Sequence, residues 1–98
     1  MSAKIQRLAD VDRLIHEPAR LMIIAVLNSV EEADFQYLHL TTGLTKGNLS
    51  VHLSRLEEAG YVGIEKTFRG KYPLTICRLT NLGAQKLSEY RKLLKDAL

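Results

Sequence analysis

Hydrophobic positions along this chain recur first at helical spacing, then at every second residue, then at helical spacing again. Ile5, Leu8, Val11, Leu14 and Ile15 stand three and four apart with Arg7, Asp10, Asp12 and Arg13 off the stripe, predicting a first helix over Lys4 to Ile15. His16-Glu17-Pro18 ends it, because proline disfavours helix in the residue before it yet suits the first position of a new helix. The second helix is predicted from about Pro18 to Ser29, and its stretch Leu21 to Leu27 is apolar almost all round, as in a central helix buried on several sides. Asp34 can cap a short third helix that turns Phe35 and Leu38 inward and stops near Thr41 to Gly43. Thr45 can cap a fourth, in which Leu49, Leu53 and Leu56 lie four and three apart and Gly60 is the stop. The short turn through Gly43 and Leu44 makes these two a helix-turn-helix.

Beyond Gly60 the period falls to two. Val62, Ile64 and Phe68 lie on one side of a strand, interrupted at Lys66, and Leu74 and Ile76 carry the pattern in a second. Arg69-Gly70-Lys71-Tyr72-Pro73 between them reads as a hairpin turn with basic residues at its tip. Thr80 or Asn81 then caps a last helix with Leu87, Tyr90, Leu94 and Leu98 along one stripe. Helix, helix, helix-turn-helix, hairpin, helix is the order of a winged helix-turn-helix, mainly α with a small β-hairpin. It is read as one domain over 1–98, with the helix-turn-helix at about 34–60, the wing at 61–79, and terminal helices in 1–15 and 80–98.

Five stretches carry a family likeness: His16-Glu17-Pro18-Ala19-Arg20-Leu21, Thr42-Gly43-Leu44-Thr45, Asn48-Leu49-Ser50-Val51-His52-Leu53, Leu56-Glu57-Glu58-Ala59-Gly60-Tyr61-Val62 and Leu79-Thr80-Asn81-Leu82-Gly83. In combination and spacing they closely resemble the winged-helix transcriptional regulators of the ArsR and MarR type, over roughly Ile15 to Leu87. The resemblance implies a DNA-binding, usually dimeric, bacterial or archaeal regulator.

Composition narrows the chemistry. With 98 residues, 46% hydrophobic and 26% charged, the chain suits one core. Its longest apolar run, Leu21 to Leu27, is seven residues, against the ~20 that a membrane-spanning helix needs. The start, with Gln6, Arg7 and Asp10 close behind Met1, has no secretion-signal pattern, so a cytoplasmic location is expected. Cys77 is the only cysteine, which excludes an internal disulfide and reads as a small core residue. The paired cysteines by which many ArsR-type proteins hold metal are absent, and His16, His39 and His52 fall on three elements without ligand spacing, so no metal or other cofactor is expected. There is no glycine-rich phosphate loop, nucleophile elbow or carboxylate pair in an apolar pocket, and Glu31-Glu32 and Glu57-Glu58 read as solvated, so no catalysis is expected.

The net charge of +3 is modest, but its distribution is informative. Lys66, Arg69, Lys71, Arg78 and Lys86 occur between Lys66 and Ser88 without an acid, whereas Glu31, Glu32 and Asp34 are expected to cluster with no base near them. The stretch Phe35 to Leu56 contains no acid either, unlike an ordinary exposed helix, which mixes signs. With its leucines inward, the fourth helix exposes Gly47, Asn48, Ser50, Val51, Ser54 and Arg55, a small polar face suited to the floor of a major groove. There Asn48 can pair with a base edge, Ser50 can meet a base or phosphate, Val51 can touch a thymine methyl, and Arg55 can hold a phosphate. Thr45, Lys46 and Gly47 add backbone N–H groups and positive charge for phosphate. His52, at the border of the two faces, is expected to be partly buried, hydrogen-bonded and near the DNA backbone. Lys66, Arg69 and Lys71 on the wing can reach flanking phosphates or the minor groove.

Ile5, Leu8, Val11, Leu87, Tyr90, Leu94 and Leu98 on the terminal helices exceed what the core of a winged helix needs, and pairing two chains would cover them. The expected partners are therefore double-stranded DNA and a second copy of the chain, with a pseudopalindromic operator. The competing reading is a winged-helix protein-interaction module within a larger assembly. A small effector would have only the dimer interface or a crevice beside it, and no residue set identifies one.

Overall fold

The central segment Leu21 to Leu27 dictates the architecture, because a helix apolar on nearly all sides must be surrounded. The computed structural model describes residues 2–98; Met1, included in the expected N-terminal segment, lies outside them. The helices are α1 (Ser2–Gln6), α2 (Pro18–Asn28), α3 (Phe35–Thr42), α4 (Lys46–Glu58) and α5 (Asn81–Ala97), and the strands are β1 (Ala33–Asp34), β2 (Val62–Arg69) and β3 (Tyr72–Leu79). Ile23, Ile24 and Leu27 of α2 are packed with Leu38 of α3, Leu49, Leu53 and Leu56 of α4, Val62 and Cys77 of the sheet, and Leu87 and Tyr90 of α5 in one buried core. The sheet is antiparallel in the order β1-β3-β2, so the wing hairpin is anchored at its base by the short strand that precedes α3.

The starts of α2, α3, α4 and α5 each follow from a side chain that satisfies an otherwise unpaired backbone N–H. Glu17 accepts from Ala19 and Arg20, Asp34 from Tyr37, Thr45 from Asn48 and Thr80 from Gly83. At the end of α4, the N–H groups of Gly60 and Tyr61 return to the carbonyls of Glu57 and Leu56, with Gly60 left-handed at φ 82°. This is the Schellman arrangement that turns the chain from helix into wing.

Three expectations are corrected. The first helix does not run from Lys4 to Ile15: α1 ends at Gln6, a 3-10 turn covers Arg7–Asp10, and Val11 is extended. The cause is Asp12, whose Oδ1 accepts from the N–H groups of Leu14 and Ile15 and so competes with helical pairing, while its Oδ2 accepts from the Tyr61 hydroxyl at 2.6 Å. On β3 the core side is carried by Cys77 and Leu79, paired with Ile64 and Val62, while Leu74 and Ile76 fall on the opposite face. β1 was not foreseen, and it covers part of that strand by pairing Ala33 with Cys77 and Asp34 with Ile76. Finally, Glu32 does have a base beside it, because Arg78 bridges Glu32 at 2.8 Å and Glu65 at 3.0 Å.

Of the residues assigned to a dimer surface, Leu87 and Tyr90 are each 6% exposed and belong to the core of their own chain, with Val11 and Leu94 packed partly against it. The reason is length: α5, at 17 residues, reaches back across the body before it projects beyond it. Cys77 is fully buried, and burial pushes its thiol up to about 11.

The base of the wing is sealed where Tyr61 meets the start of α5. The Thr80 N–H donates to the Tyr61 carbonyl at 3.0 Å, and the Thr80 hydroxyl donates to the Gly60 carbonyl at 2.6 Å. Gly83 lies so close that a Cβ there would stand 2.2 Å from the Tyr61 carbonyl oxygen and 2.7 Å from a Leu79 methyl. Gly83→Ala is therefore expected to destabilise the fold by about 3 kcal/mol, at the upper end of the usual overpacking cost. Thermal unfolding should show Tm falling by roughly 10 °C or more.

Candidate nucleic-acid interface

The helix-turn-helix is held by local bonds that leave little freedom at the turn. Gly43 is left-handed at φ 73° and returns its N–H to the His39 carbonyl. The Thr42 hydroxyl donates to the Leu38 carbonyl at 2.7 Å and accepts from the Leu44 N–H at 3.3 Å. His39 Nδ1–H donates to the Leu44 carbonyl at 2.7 Å, locking the residue just before the cap of α4. Leu49, Leu53 and Leu56 then bury one side of α4, and Lys46, Gly47, Asn48, Ser50, Val51, Ser54 and Arg55 are all exposed. Gly47 has open space around it, so the first turn of α4 presents bare backbone.

The wing residues divide by face. Cross-strand pairing sets Lys66 opposite Thr75 and Arg69 opposite Tyr72, three residues apart along β2 and so on opposite sides of the hairpin. Lys66 turns towards α4 and with Ser50, Ser54, Glu57, Phe35, Leu53, Ile64 and Thr75 lines a cleft of about 380 Å³ between helix and wing. Arg69 lines a different groove, of about 560 Å³, with Tyr37, Leu40 and Leu74. Lys71 stands in the turn, beside Gly70 at φ 62°. Among the described residues Lys46, Arg55, Lys66, Arg69 and Lys71 form no ion pair, whereas Arg78 and Lys86, from the same basic run, are engaged by glutamates. The run thus splits into free cations around α4 and the wing tip and neutralised ones at the base and on α5.

Each histidine is occupied elsewhere than in a metal cluster. His16 Nδ1 meets the Tyr90 hydroxyl at 2.9 Å, His39 clamps the turn, and His52 Nδ1 accepts from Arg20 Nη1 at 3.1 Å. Among the described residues no three His, Cys, Asp or Glu side chains gather as a metal site would require, and no helix is long and apolar enough to cross a membrane.

Sequence reasoning passed over Arg20, Glu17 and Thr75. Arg20 had a readable signal: it stands three and four residues before Ile23 and Ile24, on the buried stripe of α2. Thr75 had none, since its place in the cleft follows from the strand register.

Comparison with known proteins agrees with this geometry. A family model for the winged helix DNA-binding domain matches residues 19–98. An uncharacterized protein of Methanocaldococcus jannaschii is 35% identical over 78 residues, covering 80% of this chain and 85% of that protein. The structure of a transcriptional regulator homologue from Pyrococcus horikoshii OT3 is similar with a TM-score of 0.86 at 27% identity, over 92% of this chain and 91% of that one. Bacillus subtilis PadR, solved in complex with operator DNA, shares the fold with a TM-score of 0.65 at 16% identity, over 72% of this chain and 46% of that one. A MarR family transcriptional regulator from Silicibacter pomeroyi DSS shares it with a TM-score of 0.70 at 22% identity, over 97% and 61%. The chain belongs to the winged helix DNA-binding domain family, and its fold is shared with transcriptional regulators of the MarR family.

Proposed function

We propose that the protein is a sequence-specific transcriptional regulator that binds a pseudopalindromic operator as a homodimer. The observation that carries this reading is the exposed face of α4, free of acids from Lys46 to Arg55, beside Lys66, Arg69 and Lys71 of the wing, which form no ion pair among the described residues. In this reading α4 lies in the major groove, where Asn48, Ser50 and Val51 face base edges. Thr45, Lys46 and Gly47 bind phosphate through backbone N–H groups and charge, and Ser54, Arg55 and His52 line the adjoining backbone. The duplex backbone passes the α4–wing cleft, met by Lys66, while Arg69 and Lys71 reach the flanking phosphates or minor groove. PadR, solved in complex with operator DNA, shares this fold and supports the reading.

The dimer rests on a smaller apolar surface than the sequence suggests. Ile5 is 57% and Leu98 89% exposed, and Leu8, Val11 and Leu94 are half-buried, at the end of the molecule where α1 lies against α5. Two-fold pairing there would cover them and set two α4 helices one helical turn of DNA apart.

Asn48→Ala should change sequence preference, with about 1–3 kcal/mol lost at one base pair. Lys71→Ala should weaken all duplexes alike and lower the salt slope of binding by about one. Titration of selected and random duplexes against salt checks both; a protein with no affinity for any duplex at low salt contradicts the reading and favours a protein-interaction module. Replacing Ile5 and Leu98 by glutamate should leave the fold intact and shift sedimentation from dimer to monomer. An unchanged dimer would place the interface elsewhere.

A further inference from the structure

Arg20 is a charge with 9% of its surface exposed, and such a group is costly to bury unless every donor is used. Its Nε donates to the Leu14 carbonyl at 2.5 Å, its Nη2 to the Arg13 carbonyl at 3.4 Å, and its Nη1 to His52 Nδ1 at 3.1 Å. Glu17, which caps α2 with both carboxylate oxygens, stands 3.8 Å from Arg20 Nη1 and 3.8 Å from His52 Nδ1. The burial of the Glu17 carboxylate alone would raise its pKa, but chiefly the backbone N–H groups of Arg20 and Ala19, with the Arg20 charge beside them, hold it below its ordinary value. The guanidinium is therefore a bracket between the turn before α2 and the side of α4 that borders its polar face.

A guanidinium only donates, so the ring nitrogen it meets must accept. We infer that Arg20, steadied by Glu17, is a positioning residue that holds neutral His52 with its proton on Nε2, as a hydrogen-bond donor to a DNA phosphate. The inference rests on the proposed DNA binding and adds to it the group that sets the donor. His52 occupies the stripe of Asn48 and Arg55, at four and three residues' separation, and its side chain is 20% exposed. With Nδ1 engaged by Arg20, Nε2–H is the one polar group that the ring has left to offer. The His16-Glu17-Pro18-Ala19-Arg20-Leu21 stretch thus does more than start a helix: Glu17 caps it and orders the carboxylate, and Arg20 carries that order to α4.

Two isosteres separate the roles of the two ring nitrogens. Gln places its terminal amide near the position of Nε2 and Asn near that of Nδ1, so His52→Gln, which keeps a donor for the phosphate, should bind duplex more tightly than His52→Asn. His52→Asn, which retains an acceptor for Arg20, should fold normally and bind about tenfold more weakly, the usual loss of one charge-assisted hydrogen bond. Long-range proton–nitrogen NMR spectra of the free protein should show neutral His52 protonated on Nε2, and Arg20→Lys should mix the tautomers and weaken DNA binding at unchanged sequence preference. A proton on Nδ1 in the free protein, or equal affinity of the Asn and Gln variants, overturns the inference. Should Arg20→Lys fail to fold, the isostere pair and the wild-type spectrum decide. Absence of duplex binding by the wild type, with His52 still protonated on Nε2, would instead overturn the proposed function beneath it.

Discussion

Three leucines on one side of α4 are the constraint on which the rest of the structure depends. Leu49, Leu53 and Leu56 are buried against a core centred on Ile23, Ile24 and Leu27 of α2. Each side chain so buried contributes about 1.5–3 kcal/mol, so rotating α4 to expose another face would sacrifice most of the stability of a small domain. Once that side is fixed inward, helical geometry leaves Asn48, Ser50, Val51 and Arg55 outward with no further instruction. The same helix ends in a left-handed Gly60, which sends the chain directly into β2. Position of the wing relative to α4 is thus inherited from the leucines as well.

Charge is arranged around this frame with a clear division. Glutamates engage Arg78 at the base of the sheet and Lys86 on α5, whereas Lys46, Arg55, Lys66, Arg69 and Lys71 carry no such partner among the described residues. Exposed ion pairs of the first kind add little stability; they offset the charges of Arg78 and Lys86 and leave those of α4 and the wing tip unopposed. Arg20 is the exception, a buried cation whose bonds go to two carbonyls and a histidine. Leaving a buried charge without such partners costs several kcal/mol, so the bracket ties the position of α4 to the turn before α2.

Elements governed by local chemistry were legible in the sequence, and those governed by tertiary contacts were not. Asp34, Thr45 and Thr80 cap the helices that their positions suggest, and the apolar periods locate α2, α3, α4 and α5. Asp12 broke the first helix because its carboxylate serves Leu14, Ile15 and Tyr61 at once, and the last of these lies 49 residues away. β3 was misread because Leu74 and Ile76 are apolar yet lie on the face opposite Cys77 and Leu79, a register set by pairing with β2 and β1. At the candidate interface, the exposure of Gly47, Asn48, Ser50, Val51, Ser54 and Arg55 on α4 was foreseen residue by residue. The separation of Lys66 from Arg69 was not, since it depends on strand register. Leu87 and Tyr90 were assigned outward because a helical stripe does not say how much of itself the home core will absorb.

Chemical-shift mapping of the backbone amides during titration with a selected duplex tests the central claim most directly. The account predicts perturbations concentrated in Thr45 to Arg55 and in Lys66 to Lys71, with α5 beyond Tyr90 little affected. Perturbations centred instead on the Tyr37, Leu40 and Leu74 groove, or on α1 and α5, with α4 unchanged, would contradict it.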